Sequence, residues 1–394
     1  MFSWFLHRLK GDKIIWMLVF VLSALSLLAI YSATSALSFR MQGGDTEHYM
    51  FTHLIHLLLG IGVMFFVHLI NYRIFAQIAN VLLGITIPLL VYTVLKGSEV
   101  NEAARWVTIF GQSFQPSDLA KLTLMIYLAK LLTQRQEVIK DFTEGFLPAL
   151  FWVSVICGLI APQDLSTAAL MFLASVMVMF IAGIDTRYLG MLAVVGVMAL
   201  FILFGTARRA DTWKNRMMAY AGLATTEEAT YQSTQSNIAI ASGGMFGKGV
   251  GKSSQRNFMP QSHSDFVYAI VVEEYGLVGG ALVIVLYLLL LFRSVSIVTL
   301  SKTFGALMAS GLAFLLVLQA MVNMGVTVGL LPVTGLTLPM VSMGGTSIIF
   351  TGVSFGIILS VSREAMGQKG NDKTARRSGA GTAKRRRFGM VAKA

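Results

Sequence analysis

Residues 266–292 read FVYAIVVEEYGLVGGALVIVLYLLLLF. Glu273 and Glu274 are the only charges in this run, and it exceeds the ~17–25 residues a helix needs to cross a bilayer. Working outward, comparable apolar stretches fall near 14–35, 51–70, 74–95, 116–133, 146–163, 166–183, 188–205, 304–328 and 346–362. The sequence therefore predicts an all-α polytopic membrane protein with ten transmembrane helices, because a lipid-facing backbone must satisfy its own hydrogen bonds. The first stretch is too long for a cleaved signal peptide. Composition agrees: 55% of the 394 residues are hydrophobic, 13% are charged and mean hydropathy is +0.71. A soluble domain carries roughly 25% charge, so that class is excluded, and disorder falls with it. One cysteine, Cys157, rules out a disulfide framework or a cysteine-based zinc site.

Charge orients the chain. Ten spans place both termini on one side. With the termini cytoplasmic, cytoplasmic segments hold 20 of the 31 Lys/Arg, while the short external loops hold Arg40, Lys96 and Arg105. That is the positive-inside pattern. Residues 1–13 form a cytoplasmic N-terminus, 14–362 the membrane domain, and 363–394 a basic, disordered cytoplasmic tail of net +8. The run Lys384-Arg385-Arg386-Arg387 is read as a topology and lipid signal, with no nucleic-acid partner. Residues 206–264, between helices 7 and 8, form one large external loop of net +4, suited to an anionic headgroup such as a pyrophosphate.

Candidate chemistry is sparse. Gly247-Lys248-Gly249-Val250-Gly251-Lys252-Ser253 is no Walker A loop, since position 246 is Phe and no strand precedes it; it reads as a mobile turn. His53 and His56 share a helix face but lack a third metal ligand. Ionisable residues in or beside spans are functional candidates: Asp118 with Lys121, Asp164, Asp265, and Glu273 with Glu274. Asp118 and Lys121, one turn apart, can pair, as a clasp or as a working site. Glu273 and Glu274 need partners from elsewhere in the fold, water or a proton. Asp265 opens the eighth helix at its outer end, where Ser264 can cap it. It either complements the helix dipole or serves as an accessible acid beside the basic loop.

Four ordered segments carry a resemblance to a known family: Arg105-Trp106 with FQPSDLAKL (114–122), YQSTQSNIAIASGGMFGKGVG (231–251), HSDFVYAIVVEEYGLVG (263–279) and GLLPVTGLTLPMVSMGGTS (329–347). From about residue 14 to 363 the chain resembles the SEDS (shape, elongation, division and sporulation) proteins, the RodA/FtsW peptidoglycan polymerases. It departs from the family pattern at Asp118, where Glu is common, at Pro162-Gln163, at Ser264 and at Met343. The resemblance implies an inverting glycosyltransferase that polymerises lipid II at the outer face of the bacterial cytoplasmic membrane and releases undecaprenyl diphosphate. By motif, the catalytic acid maps onto Asp265. Arg105, Lys121, Lys248, Lys252, Arg256 and Gln235 become candidate substrate contacts, with Asp118, Asp164, Glu273 and Glu274 as a supporting polar network. Mg2+ or Mn2+ is implied as a possible cofactor by the family alone; no metal ligands are assigned. A class B penicillin-binding protein, the transpeptidase, is the implied partner, with other division-site membrane proteins. Gly335-Leu336-Thr337-Leu338-Pro339 resembles the division branch, while Ser236–Gly244 leans toward the elongation branch. A lipid II flippase uses similar ingredients, but no internal repeat relates the first and second five spans; a non-catalytic scaffold would not need an acid at the outer mouth of a helix.

Overall fold

The computed structural model describes residues 10–41, 46–96, 98–100, 103–109, 112–206, 210–223, 227–259, 263–301 and 303–367. The tail from 368 and the extreme N-terminus lie outside the described residues. The helices are α1 (Lys13–Met41), α2 (Thr46–Leu69), α3 (Arg73–Lys96), α4 (Pro116–Gln134), α5 (Leu147–Ile160), α6 (Leu165–Ala182), α7 (Thr186–Thr206), α8 (Ala210–Tyr220), α9 (Glu227–Gly243), α10 (Val267–Val298), α11 (Thr303–Thr327) and α12 (Thr346–Gly367). A small antiparallel sheet, β1 (Ser98–Val100), β2 (Ala103–Ile109) and β3 (Gln112–Phe114), joins α3 to α4. Local chemistry sets the boundaries. Pro116 starts α4, where its missing N–H would be unpaired anyway, and Asp164 caps α6 by accepting from the Thr167 N–H at 3.1 Å.

Among the described residues, eight helices are long and apolar enough to cross a membrane: α1, α2, α3, α5, α6, α10, α11 and α12. The other two expected spans correspond to α4, which carries Asp118, Lys121 and Lys130, and α7, whose described apolar part runs Thr186–Met198. In α11 and α12, 72% and 67% of the span is buried, against 22% and 28% in α2 and α3. The first pair is therefore the centre of the bundle and the second faces outward. α11 packs on α4, α6 and α10, and α10 packs on α1. One end is tied by the Asp12–Arg293 and Arg73–Glu364 ion pairs and by Arg363, which donates to the Leu69 carbonyl at 3.0 Å.

The segment expected as a structureless loop, 206–264, is instead built. α8 is followed by α9, which runs alongside α10 in the same direction. Ala239 packs with Phe266, Ala269 and Ile270, and further on the Gly243 Cα faces the Val272 carbonyl. The chain turns at 244–251 and returns, with Met259 rejoining the Phe266 cluster. The glycine-rich turn is not free. Lys248 and Gly249 N–H groups donate to the Glu273 and Glu274 carbonyls at 3.0 Å, and Leu277 N–H donates to Gly244 at 2.9 Å. α10 breaks there: Gly276 has φ 69° and ψ −172°. The two backbones touch, so a Cβ on Gly247 would lie 2.1 Å from the Glu274 oxygen, and one on Gly276 2.2 Å from the Met245 oxygen. Only glycine fits either position. Gly276 is eleven residues beyond Asp265, about 16 Å along the helix. The 227–259 hairpin thus penetrates beside α10 to near the middle of the span.

Candidate active site

Asp265 lies in the turn before α10; the N-cap position is Phe266, rather than Ser264 as expected. It is held from behind. Asn323, one per cent exposed on α11, donates through Nδ2 to the Asp265 carbonyl at 2.8 Å and to the Leu336 carbonyl at 2.6 Å. One amide thereby locks the acid's backbone to the 328–345 connection. Gly335 of that connection sits against the carboxylate: a Cβ there would be 3.5 Å from Oδ2. One helical turn earlier, Gln319 Nε2 donates to the Thr337 carbonyl at 2.8 Å. Ser342 Oγ donates to the Ser264 carbonyl at 2.5 Å and accepts from Leu338 N–H at 2.8 Å. Met343 N–H donates to the His263 carbonyl at 2.9 Å. In the same connection, buried Met340 has φ 64°, a left-handed conformation that stores strain in a non-glycine residue. Burial holds the His263 imidazole below its ordinary titration range.

Asp118 and Lys121 pair at 2.7 Å, as their spacing allowed. Lys121 also donates to Gln319 Oε1 at 3.3 Å. A continuous polar chain therefore runs from Asp118 through Lys121 and Gln319 to Thr337, two residues from the glycine that touches Asp265. A cavity of about 20 Å³, room for one water, adjoins Asp118, Lys121, Gln319 and Ser347.

A second cluster lies deeper. Glu273, fully buried, is paired with Lys248 at 2.6 Å and accepts from Ser253 Oγ at 2.5 Å, Ser254 N–H at 3.1 Å and Ser254 Oγ at 2.9 Å. Glu274 accepts from Ser32 of α1 and from Ser253 N–H at 3.3 Å. Arg256 donates to Gly251 O at 3.0 Å and Ser32 Oγ at 3.3 Å. The partners that Glu273 and Glu274 required thus come from the hairpin and α1. Lys248 and Arg256 are engaged in holding the hairpin in place, while Lys252 is exposed.

The structure runs Lys121 through Gln319 to Thr337, two residues from the glycine that lies against Asp265, and puts Lys248, Arg256, Glu273 and Glu274 into a separate network. Asp164 serves as a helix cap. Gln235 is half-buried on α9, beside Ser236, which donates to the Thr327 carbonyl at 2.7 Å. Arg105 stands on β2, and its side chain lies outside the described residues. Sequence reading passed over Gln319 and Asn323 because it sought ionisable groups. Two amides four residues apart on one face of an apolar span were the available signal. Among the described residues, no group of three or more His, Cys, Asp or Glu is placed to hold a metal ion.

Comparison with known proteins follows the same lines. Residues 12–367 match the sequence model of the cell cycle protein family that groups FtsW, RodA and SpoVE. A probable peptidoglycan glycosyltransferase FtsW of Geobacter sulfurreducens is 35% identical over 366 residues, covering 91% of this chain and 96% of that one. The stage V sporulation protein E of Bacillus subtilis is 31% identical over 365 residues, covering 90% and 98%. The crystal structure of the rod shape determining protein RodA of Thermus thermophilus aligns with a TM-score of 0.67 at 28% identity, over 90% of this chain and 97% of that one. A chain from a peptidoglycan synthase complex, described as coordinating polymerization and crosslinking, aligns with a TM-score of 0.66 at 30% identity, over 90% and 98%.

Proposed function

The chain belongs to the FtsW/RodA/SpoVE family of cell cycle proteins, and from that premise we propose that it is a peptidoglycan glycosyltransferase with Asp265 as its catalytic acid–base residue. The observation that carries the assignment is the anchoring of Asp265. Its backbone is fixed by Asn323 and its carboxylate lies against Gly335, at the mouth of α10, while α11, which supplies Asn323, also engages the buried Asp118–Lys121 ion pair through Gln319.

In this reading lipid II is polymerised at the outer membrane face. Asp265 takes the proton of the acceptor's 4-hydroxyl as that oxygen bonds to the anomeric carbon of the growing strand. The anomeric carbon–phosphate oxygen bond breaks, with inversion, and its electron pair leaves with undecaprenyl diphosphate. General-base help of this kind is worth about 100- to 10,000-fold. Exposed Lys252, and Lys121 in its pair with Asp118, are the candidate cations for the diphosphate, and Arg216, which donates to the Val333 carbonyl at 3.1 Å, stands beside the connection that touches Asp265. Among the described residues no group of three ligands is placed to hold a metal ion; if Mg2+ or Mn2+ were bound, a single carboxylate such as Asp265 would hold it, and it would supply charge neutralisation for the departing diphosphate. Ten spans, with α4 and α7 completing the eight, put both termini in the cytoplasm and 206–264 outside. The FtsW names among the relatives favour a septal role, and the synthase-complex likeness favours a class B penicillin-binding protein as partner.

The test is a purified complex with that transpeptidase, given labelled lipid II. Asp265→Asn preserves volume and should lose glycan synthesis by at least about 100-fold while the complex and lipid II binding persist. Polymerisation at the parental rate would overturn the assignment. Lipid II crossing vesicles without polymer formation by the parental complex would point to a flippase.

A further inference from the structure

A cavity of about 600 Å³ opens at the end of the bundle opposite Asp265, where α3 begins, α4 ends and α11 begins. Its walls bring together Tyr72, Arg73, Gln77, Lys130, Thr133 and Phe304. Tyr72 and Phe304 stack with ring centroids 6.1 Å apart and form an apolar floor. Two cations stand at the rim: Arg73, half exposed and 2.5 Å from Glu364, and Lys130, which donates to Asn80 at 2.9 Å. Gln77, Gln134, Thr133 and Thr303 also line it, but its wall is largely apolar, so the polar chemistry rests with the two cations at the rim. Three helix ends fix its level at the membrane–water boundary. Exposed Ile74 and Ile78 continue from it along the outward face of α3, a path for an acyl chain.

We propose that this pocket binds the phosphate headgroup of an anionic phospholipid. Basic pockets between helices at this level are built for such headgroups. Arg73 presents a planar fork of donors, of which Glu364 occupies part, and Lys130 adds a point charge. The chain's own tail is excluded as occupant by charge, since 363–394 carries net +8. The site is separate from the glycosyltransferase reading and needs only that the bundle sits in a bilayer.

Native mass spectrometry of the purified full chain, released from mixed phosphatidylglycerol–phosphatidylethanolamine nanodiscs, tests it. Phosphatidylglycerol should be retained selectively. Arg73→Gln with Lys130→Gln should weaken retention about 30-fold, from roughly 1 kcal/mol per lost cation. Arg73→Lys with Lys130→Arg should restore most of it. Glu364→Gln should tighten retention by freeing the Arg73 fork, the opposite of what a purely structural ion pair would give. Lys140→Gln with Arg187→Gln, exposed cations at the same end, should leave it unchanged. Equal retention of phosphatidylethanolamine, or an unaffected Arg73/Lys130 double variant, overturns the proposal. So does displacement of phosphatidylglycerol by millimolar inorganic phosphate, which would assign the pocket to a soluble anion.

Discussion

Asn323 shows how much one buried amide can set. Its Nδ2 serves two carbonyls on two segments, and truncation removes both bonds at once. Asn323→Ala should lower stability by roughly 2–4 kcal/mol. In protein that remains folded, kcat should fall about 10- to 100-fold with KM little changed, because the acid is misplaced rather than the substrate lost. Steady-state kinetics on folded material checks this, and an unchanged kcat would remove the positioning role. His263, two residues before Asp265, gives a pH signature. Its folded-state pKa is depressed by burial, so the folded chain binds its proton less readily than the unfolded chain does. Stability should be full above the ordinary histidine value of about 6.5 and decline as pH falls below it. Thermal melts between pH 5 and 8 should show that slope in the parent and a flatter one in His263→Gln. Asp265 drew notice in the sequence as an acid beside an apolar run, and the family resemblance singled it out. Asn323 did not, because its importance lies in a connection that folds back from thirteen residues away.

At the level of elements, the 227–259 hairpin is where sequence and structure part. Its polarity and glycine content read as part of a large external loop suited to an anionic headgroup, and nothing in a linear pattern says that a Lys will be matched by a Glu twenty-five residues on. The match makes the segment ordered. Glu273 is buried, so removing Lys248 takes away a charge-assisted bond while the Ser253 and Ser254 donors remain, a loss of about 1.5–3 kcal/mol. Lys252 is exposed, and Lys252→Ala should stay within about 0.5 kcal/mol of the parent. Denaturation of Lys248→Ala, Lys252→Ala and Lys248→Ala/Glu273→Gln should rank the first as least stable, with partial recovery in the double variant. Equal stability of the two lysine variants would refute the clasp. The span α11, by contrast, was legible almost to the residue, as was the start of α10, which runs six residues past its expected end at 292. Their boundaries are set by hydrophobic length, which is local, whereas the hairpin is set by contacts that are not.

For the whole molecule, ten spans and cytoplasmic termini rest on charge asymmetry, and accessibility labelling decides them. In a Cys157→Ala background, cysteine at exposed Leu223 should react with an impermeant reagent in intact cells. Cysteine at exposed Lys140 should react only after the membrane is opened. The reverse pattern would invert the molecule and move Asp265 away from its substrate. The central place of α11 and α12, the last two spans, also follows from the whole: the outward-facing α2 and α3 precede their own interior in synthesis.

That order bears on how the chain is made. The hairpin emerges from the ribosome before Glu273 and Gly276 do, so in the proposed orientation it is exported first, with Lys248 unpaired. Only when α10 enters the bilayer can the glycine turn slide in against Gly276, carrying its lysine to the waiting glutamate. Insertion of the hairpin is then a late step performed by the protein on itself rather than by the translocation machinery. Damage to Gly247 or Lys248 should therefore surface during biogenesis, as newly made chains cleared by quality-control proteases, before any effect on catalysis can be measured.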